Sequence, residues 1–190
     1  EQRQEYVETI IGASNRLSSL ITNILKLNKL EKQTITPDID TYNLSAQLAE
    51  CALQFEAVWE ERNIEFIADL EDEALISADP SLMELVWNNL LSNAFKFTQP
   101  GGTVSLKQTT VDDTAIVRVE DSGSGMDADT VNHIFDKFYQ GDSSHSMEGN
   151  GLGLALAFRV VQMMDAELTV ESEPEKGSAF TVCIPSANTN

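Results

Sequence analysis

The order of helical and strand patterns constrains the fold of this chain more than any other feature. Alternating apolar residues predict two hairpins, with strands at 104–109 and 115–119 and at 167–173 and 178–184. Further strands are predicted at 64–70 and 74–78, and helices at 44–62, 80–97, 128–135 and 152–165. Asp79-Pro80 marks one helix start, with a capping carboxylate followed by proline. We therefore expect an α/β (α+β) two-layer sandwich, a mixed sheet with helices on one face.

A long helix is predicted over residues 1–32, where apolar side chains form two adjoining rows. One row holds Val7, Ile10, Leu17, Ile21 and Ile24, and the other holds Tyr6, Ala13, Leu20 and Leu27. Such a wide apolar face suits a multi-helix bundle, and a solitary helix of this kind is poorly stable in water. No partner helix for it follows in the sequence, so we expect the partner upstream or on another chain. Residues 33–43 are predicted to form a linker, 44–186 one domain and 187–190 a tail.

Charge and cysteine usage limit the partners and the compartment. The 31 acidic and 12 basic residues give a formal net charge of −19, which repels nucleic acid and anionic membrane surfaces. Cys51 and Cys183 lie in apolar stretches without metal-ligand spacing, which predicts reduced cysteines in a reducing compartment. No run of 18 apolar residues is present, and the chain begins inside a helix. We therefore expect a cytoplasmic domain of a protein with an upstream membrane anchor.

Asn89 and Asn93 are four residues apart on the helix predicted over 80–97, so both amides leave the same face, with Lys96 one turn further on. Amide oxygens are hard neutral ligands that suit Mg²⁺, and Lys96 is placed to reach a phosphate. The same pattern equally suits a hydrogen-bonding face between helices.

Two glycine-rich segments carry further candidate residues. In Asp121-Ser122-Gly123-Ser124-Gly125-Met126, the carboxylate is suited to accept a hydrogen bond from an exocyclic amine such as adenine N6, although an ordinary turn explains the glycines as well. Gly149-Asn150-Gly151-Leu152-Gly153-Leu154 opens a helix whose amides would cradle phosphates. It is neither a dinucleotide fingerprint nor a P-loop, because no strand leads into it and no Gly-Lys-Ser/Thr follows.

Five motifs in a fixed order identify a family resemblance. After the Asn helix and Asp-x-Gly-x-Gly come Phe135-Asp136-Lys137-Phe138, then Gly-x-Gly-x-Gly, then Gly177-Ser178-Ala179-Phe180. This set resembles the ATP-binding domain of bacterial sensor histidine kinases, with its N, G1, F, G2 and G3 boxes, over about residues 40 to 186. Residues 6–32, with Arg16-Leu17 and the segment 23–27, resemble the second helix of the family's dimerisation domain, which pairs with a helix bearing the phosphoacceptor histidine.

The resemblance implies a Bergerat-type sandwich in which ATP lies between the Asn helix and a flexible lid over 140–150. It implies Asn89 and Asn93 as Mg²⁺ and phosphate ligands, and Lys96 and Lys137 as phosphate contacts. It places Asp121 on adenine N6, with Gly123, Gly125 and Met126 beside the base. The remaining implied ATP contacts are Phe138, Gly149, Gly151, Leu152, Gly153, Leu154 and Ser178. Phe135 and Phe138 would anchor the lid, although such a Phe pair also suits an ordinary core.

One position bears on the reaction class. In the related topoisomerase, chaperone and mismatch-repair ATPases, a Glu four residues before the metal-binding Asn is the general base for water. Asn89 stands there in this chain, and an amide cannot take a proton. The resemblance thus favours phosphoryl transfer to a histidine over hydrolysis, with relay to a response regulator receiver domain and homodimerisation through the N-terminal helix. Glu84 is expected to be a surface residue.

The acceptor histidine is expected upstream of Glu1. His133 and His145 are predicted to be structural or exposed, because neither has the family's acceptor context. Two alternatives stay open: a serine kinase with the same nucleotide site, and a nucleotide-sensing module that transfers nothing. The second alternative is supported by the predicted lid, where Gln140 and His145 occupy positions that are often Arg in relatives.

Overall fold

A computed structural model describes residues 2–32, 36–140 and 151–187. The helices are α1 (Gln2–Glu31), α2 (Leu44–Leu53), α3 (Glu56–Glu61), α4 (Pro80–Phe97), α5 (Ala128–His133) and α6 (Gly153–Met163). The strands are β1 (Asp40–Asn43), β2 (Glu65–Asp69), β3 (Leu75–Ala78), β4 (Thr103–Val111), β5 (Thr114–Asp121), β6 (Glu167–Glu173) and β7 (Gly177–Pro185).

The main sheet has five strands in the order β2-β4-β5-β7-β6. Strand β2 runs parallel to β4, and the other neighbours are antiparallel, so the sheet is mixed. Alternate residues point to one buried face, where Val119 of β5 lies opposite Phe180 of β7. Helices α4 and α6 pack against each other in the layer above it. The two-layer α+β sandwich expected from the strand patterns is confirmed.

Helix α4 carries the candidate amides, and its start follows the predicted capping rule. The Asp79 carboxylate accepts a hydrogen bond from Leu82 N at 3.0 Å, and Pro80 occupies the first turn. One side of the helix is buried in the core through Val86, Trp87, Leu90, Leu91, Ala94 and Phe95. Asn89 and Asn93 flank this buried side and are only half-buried, so their amides stay available at the rim of the core.

Two local predictions differ from the structure. The helix expected over 44–62 breaks after Leu53, where Phe55 turns inward and its ring stacks on that of Phe95 at a centroid distance of 5.4 Å. This aromatic packing outweighs the helical pattern. The end of the predicted linker forms β1, which pairs with β3 in a separate two-stranded sheet. Four residues are too few to show a strand period by themselves.

Helix α1 has two halves in different surroundings. Leu27 and Leu30 are buried in the core, and Leu20 and Ile24 pack against its edge, where α1 meets α6. The expectation that no later helix contacts α1 is therefore wrong for its C-terminal half. Apolar side chains further toward the N terminus, and those on the other side of this stretch, are exposed: Tyr6, Val7, Ile10, Ile11, Leu17, Ile21 and Leu25. Within the described parts of the chain, no helix has the length and hydropathy of a membrane span.

Asn43→Ala is expected to lower the free energy of unfolding by about 1 kcal/mol, because the Asn43 side chain caps α2. Its Oδ1 accepts a hydrogen bond from the backbone amide of Ser45 at 3.0 Å and longer ones from those of Ala46 and Ala74 at 3.4 Å. Urea unfolding of both proteins measures the difference. Asn43→Asp, which keeps an acceptor at the cap, is the control, and a loss as large as that of the alanine variant would contradict the capping role.

Candidate functional site

Asp121 ends β5 and lies at the centre of the candidate site. Only 7% of this residue is exposed, and its Oδ1 accepts a hydrogen bond from Gly123 N at 2.8 Å. Burial raises the pKa of the Asp121 carboxyl from 3.8 to about 6, while hydrogen bonds from the backbone amides of Gly123 and Ser178 pull it down and nearby Glu120 adds a small rise. At pH 7 the group is therefore a largely ionised, mostly desolvated hydrogen-bond acceptor.

The glycines around Asp121 are required by close backbone contacts. Gly177 has φ +93°, and a Cβ there would lie 1.8 Å from the carbonyl oxygen of Asp121. Gly125 has φ +62°, and its Cβ would lie 1.9 Å from the carbonyl oxygen of Glu173. The β6–β7 turn and the loop after β5 thus touch through their main chains. Packing alone explains these glycines, so their spacing is weaker evidence for a ligand than the carboxylate is.

A second set of contacts joins the same two segments through a hydroxyl. Ser172 Oγ accepts a hydrogen bond from Met126 N at 2.8 Å and donates one to the carbonyl oxygen of Gly177 at 2.9 Å. It also lies 3.0 Å from Ser178 Oγ. Met126, expected beside the base, and Ser178, expected to contact ATP, are therefore linked through Ser172. Ser172 belongs to none of the predicted motifs, and its only signal in the sequence is the alternation that places it on the same face of β6 as Leu168 and Val170.

The structure brings the amide helix against the start of α6. Asn89 Nδ2 donates to the carbonyl oxygen of Leu85 at 2.6 Å, and a Cβ on Gly153 would lie 2.4 Å from Asn89 Oδ1. The amide oxygen thus faces the first residue of α6. Asn93 lies one turn further along, and the Lys96 ammonium lies 4.6 Å from the centre of the Phe97 ring. Residues from the N and G2 motifs, 64 positions apart in the chain, share one side of the site.

The Phe motif packs against the glycine segment that follows it. The Phe135 ring stacks on Phe158 of α6 at 4.8 Å, whereas Phe138 is 60% exposed with φ +62°. Phe138 N donates to the carbonyl oxygen of Gly151 at 2.8 Å. Core packing thus accounts for Phe135 and not for Phe138, and the predicted anchoring of a lid stays a prediction.

The other predicted residues take varied places. Lys137 is exposed, Leu154 is half-buried, and the Leu152 side chain is fully buried, which leaves only its main chain to meet a phosphate. Gly149 and residues 141–150, including His145, lie outside the described residues. His133 is exposed and pairs with Asp136 at 2.8 Å, which raises the pKa of its imidazole. Cys51 is buried, Cys183 is half-buried, both are free thiols, and Glu84 is exposed, as predicted.

The raised pKa of Asp121 predicts how stability depends on pH. The folded chain holds this proton more tightly than the unfolded chain, so the stabilising contribution is full below pH 3.8 and is lost as the pH rises through about 6. The rise corresponds to roughly 2 to 3 kcal/mol. The asparagine of Asp121→Asn stays neutral at every pH. The free energy of unfolding of this variant is therefore expected to be about 2 to 3 kcal/mol higher than that of the wild type at pH 7, and almost equal to it at pH 4.

Urea unfolding of both proteins between pH 4 and 8 measures this difference. Taking the difference cancels the other carboxylates, such as Glu71, whose pKa is lowered by hydrogen bonds from Thr110 and Gln108 and whose effect has the opposite sign. A gap that does not change with pH would contradict the assignment to Asp121.

Comparisons with known proteins agree with this geometry. Residues 78–188 match the family model described as histidine kinase-, DNA gyrase B-, and HSP90-like ATPase. The circadian input-output histidine kinase CikA of Synechococcus elongatus is 33% identical over 190 residues, covering 97% of this chain and 25% of CikA. The chain therefore spans about a quarter of that relative.

Two solved structures extend the match to the fold. Full-length ShkA, crystallised with AMPPNP, superposes with a TM-score of 0.85 and 26% identity, over 98% of this chain and 39% of ShkA. The histidine kinase ThkA, in complex with the response regulator TrrA, gives a TM-score of 0.79 at 22% identity, over 98% of this chain and 52% of ThkA. Both alignments include most of α1 as well as the sandwich.

Proposed function

The chain belongs to the family of histidine kinase-, DNA gyrase B-, and HSP90-like ATPases, and on that premise we propose that it is the ATP-binding catalytic part of a sensor histidine kinase. In the proposed reaction, a histidine nitrogen on a helix upstream of Glu1 attacks the γ-phosphorus of ATP. A P–N bond forms as the bond to the β–γ bridging oxygen breaks, and ADP leaves.

Asn89 carries this proposal. It lies against the start of α6, at the position where a hydrolase of this family would need a carboxylate to deprotonate water. An amide accepts hydrogen bonds and has no basic lone pair at neutral pH, so it cannot serve as that base. A site that binds ATP without activating water is suited to a protein acceptor. This is why we favour a kinase over a hydrolase within the family.

The residues present fit ATP with Mg²⁺. Asp121 offers a buried acceptor for the adenine amine, and its main chain is held by the close backbone contact with Gly177. Asn89 and Asn93 present amide oxygens of the hard type that Mg²⁺ takes alongside water and phosphate. When bound, Mg²⁺ would neutralise phosphate charge, which matters in a chain of net charge −19. Lys96, Lys137 and the start of α6 would add positive potential.

The partners are proposed by analogy with the relatives. The complex of ThkA with TrrA supports a response regulator as the phosphoryl recipient. The exposed apolar side chains of α1, from Tyr6 to Leu25, support homodimerisation through this helix in the whole protein. We further propose that residues 1–32 belong to a dimerisation and phosphotransfer domain and residues 44–186 to the catalytic domain. The predicted linker 33–43 lies between them, and its last four residues form β1 on the catalytic side. We also propose that this part lies in the cytoplasm and that a membrane anchor lies upstream of it in the whole protein.

Two measurements test the proposed function. Calorimetry of this chain with a non-hydrolysable ATP analogue and Mg²⁺ is expected to show binding that Asn93→Ala weakens. If neither the wild type nor Asn93→Ala gives binding heat, only a scaffold that transfers nothing would remain. A longer chain that includes the proposed upstream helix with the acceptor histidine, incubated with γ-labelled ATP, is expected to gain an acid-labile label on that histidine. Acid-stable label would instead indicate the serine kinase, and release of labelled phosphate without protein label would indicate a hydrolase.

A further inference from the structure

We infer that Ser172 positions the adenine pocket and sets the hydrogen-bonding polarity of Ser178, so that this side of the pocket presents acceptors only. The inference rests on the proposed ATP site and adds a specificity-determining residue to it. Ser172 lies on β6 opposite Ser178 of β7, and neither the motif order nor the family boxes include it.

The Ser172 hydroxyl makes three contacts, and its proton count fixes the direction of each. A serine hydroxyl has one proton to donate and two lone pairs that accept. Its proton goes to the carbonyl oxygen of Gly177, which can only accept, at 2.9 Å. One lone pair receives the N–H of Met126 at 2.8 Å. The remaining contact, 3.0 Å to Ser178 Oγ, must therefore use the second lone pair, and Ser178 must be the donor.

The donor role of Ser178 decides how its hydroxyl can contact a ligand. Because its only proton is committed to Ser172, the Ser178 hydroxyl can meet a ligand only through its lone pairs. Ser178 is half-buried, and its backbone amide donates to the Asp121 carboxylate. Two acceptors, the Asp121 carboxylate and the Ser178 oxygen, thus stand on the same wall. Such a wall favours a base with an amino group at position 6 over one with an oxo group there.

Ser172 also connects two segments of the site through its hydroxyl. Met126 closes the loop after β5, and Gly177 begins β7, so the Ser172 hydroxyl ties together the segments on both sides of Asp121. The backbones of Gly177 and Asp121 are already in contact, so the relative position of these two segments can change little without a clash. Losing the hydroxyl would leave Met126 N–H and the Gly177 carbonyl without that partner and would free the Ser178 proton to rotate.

The test compares Ser172→Ala with Ser172→Thr, which keeps the hydroxyl, and with Thr169→Ala, which removes a hydroxyl from the opposite, exposed face of the same strand. Calorimetry measures the affinities for ATP and for inosine triphosphate, whose base carries a 6-oxo group, each with Mg²⁺. For Ser172→Ala we expect a loss of ATP affinity of about tenfold and a fall in the ATP-to-ITP preference of at least about threefold. Ser172→Thr is expected to restore both, and Thr169→Ala to change neither.

A readout on the protein without nucleotide completes the test. Hydrogen exchange of the Met126 amide is expected to speed up about tenfold in Ser172→Ala and to return to the wild-type rate in Ser172→Thr. If the alanine variant fails to fold, Ser172→Cys, which has a similar shape and bonds weakly, takes its place.

The outcomes separate the two proposals. A wild type that binds ATP, with a Ser172→Ala variant of unchanged affinity and base preference, would overturn the role of Ser172 and leave the proposed function intact. A fall in affinity without a change in base preference would overturn the polarity argument. A wild type that binds neither nucleotide would overturn the proposed function, and the role of Ser172 with it.

Discussion

Asp121→Asn is expected to reduce ATP affinity by roughly a hundredfold or more while the protein stays folded. The carboxylate is a mostly desolvated acceptor, and a hydrogen bond to a charged group is worth about 1.5 to 3 kcal/mol. The asparagine oxygen would keep the bond that the Gly123 amide donates to Oδ1, which leaves the NH₂ group in the place of the second carboxylate oxygen, facing the adenine amine. Two donors would then face each other, and the cost adds to the lost bond. Calorimetry with ATP and Mg²⁺ at pH 7.5 measures the change.

Glu120→Gln is the matched control for that experiment. It removes the same charge from the neighbouring residue, whose side chain lies on the opposite face of β5 and is bonded to Arg118 at 3.2 Å. Its ATP affinity is expected to stay within about threefold of the wild type, since exposed charges are screened. An equal loss in both variants would mean that long-range charge matters and the Asp121 contact does not. Tight ATP binding by Asp121→Asn would contradict the assigned role directly.

The same substitution is expected to stabilise the fold at pH 7, which makes its loss of binding informative. Unfolding cannot explain weak binding by a protein that is more stable than the wild type. The two effects share one cause, because a carboxylate that is expensive to bury is also one that bonds strongly to a matching donor. If Asp121 has the proposed role, it is a position where stability is lower than it could be because the carboxylate is needed for the ligand.

Local patterns predicted the main sheet and the helices above it because each of those elements repeats its period over enough residues. Alternation in β4, β5, β6 and β7 and the cap at Asp79 were sufficient for that. Strand β1 and the break at Phe55 were missed, since the first is held by pairing with β3 and the second by packing on Phe95. Both depend on residues more than 30 positions away, which a local window does not contain.

The candidate site shows the same division. Asp121, Asn89 and the glycines were found from their residue types and their order along the chain. Ser172 was not found, because its partner Met126 is 46 residues away and a lone serine on a strand carries no motif. The contact of Asn89 with Gly153 likewise appears only when α4 packs on α6. The order of residue types along the chain predicts which ligand groups could be bound. Which atom donates and which accepts each hydrogen bond can be read only from the folded structure.

Gly177→Ala is expected to destabilise the protein by about 4 kcal/mol and to abolish measurable ATP binding. A Cβ at this position would lie 1.8 Å from the Asp121 carbonyl oxygen, which is far inside van der Waals contact, so the backbone must move. Overpacking of this kind costs about 1 to 3 kcal/mol or more, and an alanine held at φ +93° adds about 1 to 3 kcal/mol of backbone strain. The shift falls on Asp121 itself and on the turn that places Ser178.

Gly101→Ala separates the two costs. Gly101 also has a positive φ, +79°, but a Cβ there meets nothing within 4 Å. Gly101→Ala should therefore lose only about 1 kcal/mol of stability, from backbone strain at a positive φ, and keep its ATP affinity. Urea unfolding and calorimetry on both variants give the comparison. Equal losses of stability in the two variants, with ATP binding kept in Gly177→Ala, would mean that the main chain of β7 does not hold Asp121 in place. Side-chain contacts such as those of Ser172 would then have to hold the pocket.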